Sequence, residues 1–82
     1  MHWHVIQSTT LAAIAYDRNN QLLYLKFRDR TIYSYSEVAG PVFEALLRAP
    51  SKGQYFNEHI RGQFAYQRRA SRIAFVMASI RF

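Results

Sequence analysis

The hydrophobic pattern of this chain changes period once, at Gly40-Pro41, which commits it to strands first and helices afterwards. Ahead of that point Leu23, Leu25 and Phe27 alternate with Tyr24, Lys26 and Arg28, and Tyr33 and Tyr35 alternate with Ser34 and Ser36. Successive strand side chains point to opposite faces, so each run reads as a strand. Thr10–Tyr16 is a third run, apolar throughout, and it ends in Asp17-Arg18-Asn19-Asn20, turn formers that tolerate left-handed backbone. The links between the runs are short and polar, which makes a three-stranded antiparallel meander the economical arrangement.

Beyond Gly40 the spacing is helical. Pro41 suits a first helical turn, and Val42, Phe43, Leu46 and Leu47 form one stripe, with Glu44 and Arg48 four apart on the other side. Pro50 ends this helix. Ser51 and Gln54 then have the spacing of a capping box, Tyr55, Phe56, His59 and Ile60 form a second stripe, and Gly62 stands where a C-cap is expected. Helices following a meander and packed on one of its faces give an α+β domain. After Tyr66 the pattern is ambiguous. Gln67-Arg68-Arg69 reads as an exposed basic link, and Ile73, Val76, Met77 and Ile80 fit a helical stripe in a C-terminal extension, although Ile-Ala-Phe-Val would also pair as a strand.

At 82 residues there is material for one core, and the 50% hydrophobic and 16% aromatic content makes that core feasible without staples. With no cysteine, disulfides and thiolate metal sites are excluded. Met1-His2-Trp3-His4 has neither the basic nor the apolar region of a signal peptide, and Ile73–Ile80 is far shorter than the ~20 residues of a spanning helix. The expectation is a cytoplasmic protein without cofactor.

The formal charge of +6 is unevenly placed: residues 1–58 hold six basic and five acidic side chains, whereas 59–82 hold Arg61, Arg68, Arg69, Arg72 and Arg81 and no acid. Such asymmetry favours a polyanionic partner.

Tyr16-Asp17, Leu25-Lys26-Phe27, Tyr33-Ser34-Tyr35 with Val38, and above all Ser51-Lys52-Gly53-Gln54-Tyr55-Phe56-Asn57 with Ile60-Arg61 resemble the KTSC domain. This module is found at the C-terminus of some lysyl-tRNA synthetases and as short stand-alone proteins. The resemblance covers Ser8–Tyr66, leaving 1–7 as an N-terminal and 67–82 as a C-terminal extension. What it implies, through the family's company with a synthetase, is RNA as its ligand. Three positions depart from the family pattern: Arg30 replaces a glycine of the second hairpin turn, Gly40-Pro41 replaces Val-Pro, and Ala65 replaces a proline.

Chemistry of its own is not expected. Ser51 and His59 lie eight residues apart, roughly 12 Å along a helix, too far for a hydrogen-bonded dyad. His2 and His4 make half a metal site with no third ligand nearby. Two clusters point instead to nucleic acid. Lys52, at a helix start that favours anions, together with Arg61, Arg68 and Arg69 would hold phosphates. The second cluster depends on hairpin register. A two-residue loop at Asp29-Arg30 would put Tyr33 and Tyr35 with Tyr24, Lys26 and Arg28 as a base-stacking platform, and a three-residue loop would put them in the core with Leu23, Leu25 and Phe27. Ser34 and Ser36 favour the core register. Ser51, Gly53, Tyr55, Phe56, Asn57 and Ile60 are read as structural.

The resulting expectation is a non-catalytic module that binds RNA in preference to DNA. The alternative is a protein-interaction module, engaging a partner or a second copy through the sheet edge or the apolar C-terminal segment. A small-molecule substrate and a membrane are not expected; only Arg72 and Arg81 flank the apolar tail.

Overall fold

The computed structural model describes residues 2–69, which form β1 (Trp3–Val5), β2 (Leu11–Asp17), β3 (Leu22–Phe27), β4 (Ile32–Tyr35), α1 (Gly40–Arg48), α2 (Lys52–His59) and β5 (Tyr66–Arg69). All strand pairs are antiparallel, in the order β1-β2-β3-β4-β5. The fold is α+β, with five strands where the sequence pattern indicates three. The two additional strands occupy segments read as an extension and a basic link. β1 has three residues, too few to display a period, and β5, Tyr-Gln-Arg-Arg, carries no apolar alternation. The stripe of Ile73, Val76, Met77 and Ile80 lies outside the described residues.

Hairpin chemistry sets the registers. In the first turn Asp17 Oδ1 accepts from the backbone N–H groups of Asn19 (3.1 Å) and Asn20 (3.3 Å), and the left-handed residue is Gln21 at φ 53°, not either asparagine. The second loop has three residues, Arg28-Asp29-Arg30: Phe27 N–H donates to the Thr31 carbonyl at 2.9 Å and Lys26 pairs with Ile32. Arg30 takes φ 73°, a conformation that accounts for the glycine expected there. Leu23 then faces Tyr35 and Leu25 faces Tyr33, so both tyrosines share the helix-facing side. A bulge between Leu11 and Ala13 turns Leu11 and Ile14 toward that same side despite their odd spacing, and both are fully buried.

α1 meets the sheet through Phe43, whose ring stacks on Tyr16 at 4.8 Å, while the Tyr16 hydroxyl donates to the Val38 carbonyl. α2 meets it through Phe56, edge-on to Phe27 (5.4 Å) and Tyr35 (6.0 Å). Leu11, Ile14, Leu23, Leu25, Val38, Leu46 and Ile60 complete the core. Two local expectations give way to other partners. Glu44 pairs with Arg18 at 2.6 Å instead of with Arg48. Ser51 caps α2 by accepting from Gln54 N–H at 3.3 Å, but the Gln54 amide donates to Glu58 at 3.1 Å, so the box is half formed. The C-cap of α2 is Ile60, with Gly62 two residues further on at φ 76°.

Candidate nucleic-acid interface

Alternation along a strand decides where the charges go. β5 lies beside β4 with Tyr66 opposite Tyr35, Gln67 opposite Ser34, Arg68 opposite Tyr33 and Arg69 opposite Ile32. Tyr66 and Arg68 therefore share the helix-facing side with Tyr33 and Tyr35, and Gln67 and Arg69 project from the other side.

On the helix-facing side the three tyrosines form a cluster. Ring centroids are 6.5 Å apart for Tyr33–Tyr35, 5.6 Å for Tyr33–Tyr66 and 5.8 Å for Tyr35–Tyr66. They line a groove of about 650 Å³ with Phe27 and Phe56 at its apolar wall and Asn57, Arg61, Asp29 and Thr31 at its polar rim. Tyr35 lies deepest, at 4% exposure, whereas Tyr66 is 62% exposed. Burial pushes the Tyr35 phenol up to about 12; Tyr33 and Tyr66 add to the shift and the charge of Arg61 opposes it. At neutral pH that hydroxyl is an uncharged donor and acceptor. At the hairpin tip, the Thr31 hydroxyl donates to Asp29 at 2.6 Å and Thr31 N–H donates at 3.0 Å. The hydroxyl contact is the main reason the Asp29 carboxyl stays below the usual range, with Arg68 a lesser contributor.

The face turned away from the helices carries a different set. Trp3, Ala15, Tyr24, Ser34 and Gln67 form one row across the sheet, and Val5, Ala13, Lys26, Ile32 and Arg69 the next. Trp3 meets Tyr24 edge-on at 6.4 Å, and the Arg69 guanidinium lies over Tyr24 at 5.8 Å. Beneath them Ser34, 2% exposed, accepts from Arg69 Nε at 3.0 Å. Ser34 is thus buried although it points away from the core, because Arg69 covers it.

The expected cluster of Lys52, Arg61, Arg68 and Arg69 is not one patch. Arg61 lines the tyrosine groove, Arg68 shares its side of the sheet beside Tyr33, and Arg69 stands on the opposite face with Tyr24 and Lys26. The Lys52 ammonium donates to the Ala49 carbonyl at 2.9 Å, beside a polar depression shared with Ser8, Thr10, Ser51 and Glu58. Nor does Arg28 join Tyr24 and Lys26, because its guanidinium reaches the carbonyls of Ser8 (2.8 Å) and Ile6 (3.4 Å) and ties down the loop before β2. Among the described residues, ion pairs within 4.0 Å involve Arg18 with Glu44 and His59 with Glu58, so Lys26, Arg61, Arg68 and Arg69 have no described carboxylate within that distance. Ser51 serves as a helix cap and the His59 ring packs on Tyr55 at 4.5 Å. His4 packs toward Phe43 with His2 against it, and no group of three or more metal-ligating side chains occurs among the described residues. No described helix is long and apolar enough to cross a membrane. Tyr66 and Trp3 are the site residues that sequence patterns did not single out. Both sit on strands too short to read, although Tyr66 is spaced two from Arg68 as a strand requires.

The KTSC domain family model matches residues 7–64. A lysine–tRNA ligase from Nostoc sp. is 43% identical over 61 residues, covering 74% of this chain and 11% of the ligase. The chain thus spans about a tenth of the length of such ligases. An uncharacterized protein from Stutzerimonas stutzeri is 36% identical over 58 residues, covering 71% of this chain and 82% of that protein. The crystal structure of a KTSC domain protein from Yersinia pestis superposes with a TM-score of 0.82 at 28% identity, covering 84% of this chain and 97% of the other. The Tyr33-Ser34-Tyr35 and Asn57-to-Arg61 segments of the groove lie inside the matched window, whereas Tyr66 and Arg68 lie beyond it. The chain belongs to the KTSC domain family.

Proposed function

We propose that this protein is a non-catalytic binding module for single-stranded nucleic acid, RNA before DNA, which it holds in the tyrosine groove. The observation that carries the reading is the pairing of three clustered tyrosines with Arg61 and Arg68, two arginines with no described carboxylate within 4.0 Å. Base–aromatic stacking contributes roughly 1–3 kcal/mol per base, and a guanidinium offers phosphate a planar fork of donors. Tyr66 is exposed and can receive a base. Asn57 at the rim has both an amide donor and an acceptor for a base edge. Similarity to lysine–tRNA ligases supports RNA as the first ligand to try.

A protein partner taken on by the sheet edge has less support. Among the described residues the edges are β1 with three residues and β5 with four, and β5 carries two arginines; short, charged edges resist added strands. The apolar C-terminal segment invoked for the same role lies outside the described residues. Fluorescence anisotropy with labelled single-stranded RNA, its duplex and the matching DNA tests the proposal. The single strand is expected to bind in preference to the duplex, and to weaken at least fivefold on Tyr66→Ala. Equal binding of duplex and single strand, unchanged by Tyr66→Ala, would refute it.

A further inference from the structure

We propose that the sheet face opposite the helices is a second contact for the same strand, which leaves the tyrosine groove by crossing β5, the sheet edge among the described residues, between Arg68 and Arg69. This rests on the single-strand reading of the groove. Arg68 and Arg69 are consecutive, yet one belongs to the groove side and the other to the far side. A phosphodiester backbone rounding β5 therefore passes from one cation directly to the next. On the far side it meets a prepared surface. Arg69 is held by its Nε bond to Ser34 and by its place over the Tyr24 ring, which leaves its terminal N–H groups to donate. Trp3 stands edge-on to Tyr24, so two aromatic side chains lie side by side with Lys26 in the neighbouring row. The carboxylate at the end of this face, Asp17, is turned into its own hairpin, where it accepts from Asn19 and Asn20. Half-buried aromatics flanked by Lys26 and Arg69, without a described carboxylate pairing either cation, complement a polyanion with stacking bases rather than an apolar or acidic protein.

Trp3 is the only tryptophan in the chain, so its fluorescence reports on this face alone. The full-length protein is titrated with RNA oligomers of about three and about twelve nucleotides, below and within the range of about 4–16 that a single-strand-binding fold covers. Both lengths should bind, the longer one should also quench Trp3, and Tyr24→Ala should weaken the longer one roughly fivefold or more while leaving the shorter unchanged. Arg61→Ala should weaken both. If the longer oligomer leaves Trp3 unquenched and Tyr24→Ala is silent, the second contact is refuted and the groove reading stands. If Tyr24→Ala weakens the longer oligomer but Arg61→Ala affects neither length, the far face binds and the groove reading falls. Failure of both oligomers to bind overturns both.

Discussion

Tyr35 and Tyr66 face each other directly across the β4–β5 ladder with ring centroids 5.8 Å apart, yet one is buried and the other is 62% exposed. The pair joins the core to the groove, and the two residues should respond differently to truncation. Tyr66→Ala should leave the thermal midpoint within a few degrees of wild type and weaken single-stranded RNA roughly fivefold or more. Tyr35→Ala should instead destabilise the fold by about 3 kcal/mol, because it opens a cavity against Phe56 and Leu23. Thermal melts and anisotropy on the two variants check this; a stable Tyr35→Ala or a Tyr66→Ala that unfolds would contradict the assignment.

Alkaline pH should expose Tyr35 as well. Its folded-state value of about 12 lies above the ordinary phenol value of 10.0, so the folded form holds the proton more tightly. That contribution is fully present below pH ~10 and is lost as pH rises toward about 12, on the order of 2 kcal/mol in all. Denaturant melts between pH 9 and 12 should show the decline in wild type and a shallower one in Tyr35→Phe. Equal slopes would mean that the phenol is no better protected than a surface tyrosine.

Arg30→Gly should stabilise the protein. The left-handed φ of 73° is costly for a residue with a Cβ and free for glycine, while glycine's looser unfolded state offsets part of the gain. The net is about 0.5–1 kcal/mol, which raises the midpoint of a domain this size by roughly 2–8 °C. A lower midpoint for Arg30→Gly would place the arginine side chain in some stabilising contact.

At Gly53 the constraint is space. An added Cβ would stand 3.0 Å from Thr10 Oγ1 and 3.3 Å from Thr10 Cβ, where the start of α2 meets the loop before β2. Gly53→Ala should cost about 1 kcal/mol, the crowding outweighing alanine's better helix propensity. Adding Thr10→Ala should recover part of that loss. Additive effects in a double-mutant cycle would show that the contact is not the cause.

Most of the central fold was legible because period-two runs and helical stripes with large apolar residues have one arrangement that buries them. Leu23, Leu25, Phe43, Phe56 and Ile60 take the positions their spacing predicts. Trp3–Val5 and Tyr66–Arg69 were not legible as strands, since three or four residues hold too little alternation and β5 is defined by its partner β4. The site was read less well for a related reason. Arg68 and Arg69 look like one charge cluster in sequence, but a strand sends neighbours to opposite faces. Lys52 and Arg28 look like free cations, but Ala49, Ser8 and Ile6 offer carbonyls that only the folded chain brings near. Long polar side chains choose partners in three dimensions, as Glu44 does in taking Arg18 over Arg48.

The salt dependence of RNA binding counts the groove's phosphate contacts one arginine at a time. For an oligomer of about three nucleotides, which occupies the groove alone, two phosphate contacts through Arg61 and Arg68 predict that log affinity falls against log salt with a slope of about −1.4, at about 0.7 per contact on a single strand. Either Arg61→Ala or Arg68→Ala should reduce the slope to about −0.7. Binding that is absent at about 50 mM salt, or a slope that neither substitution changes, would contradict the account.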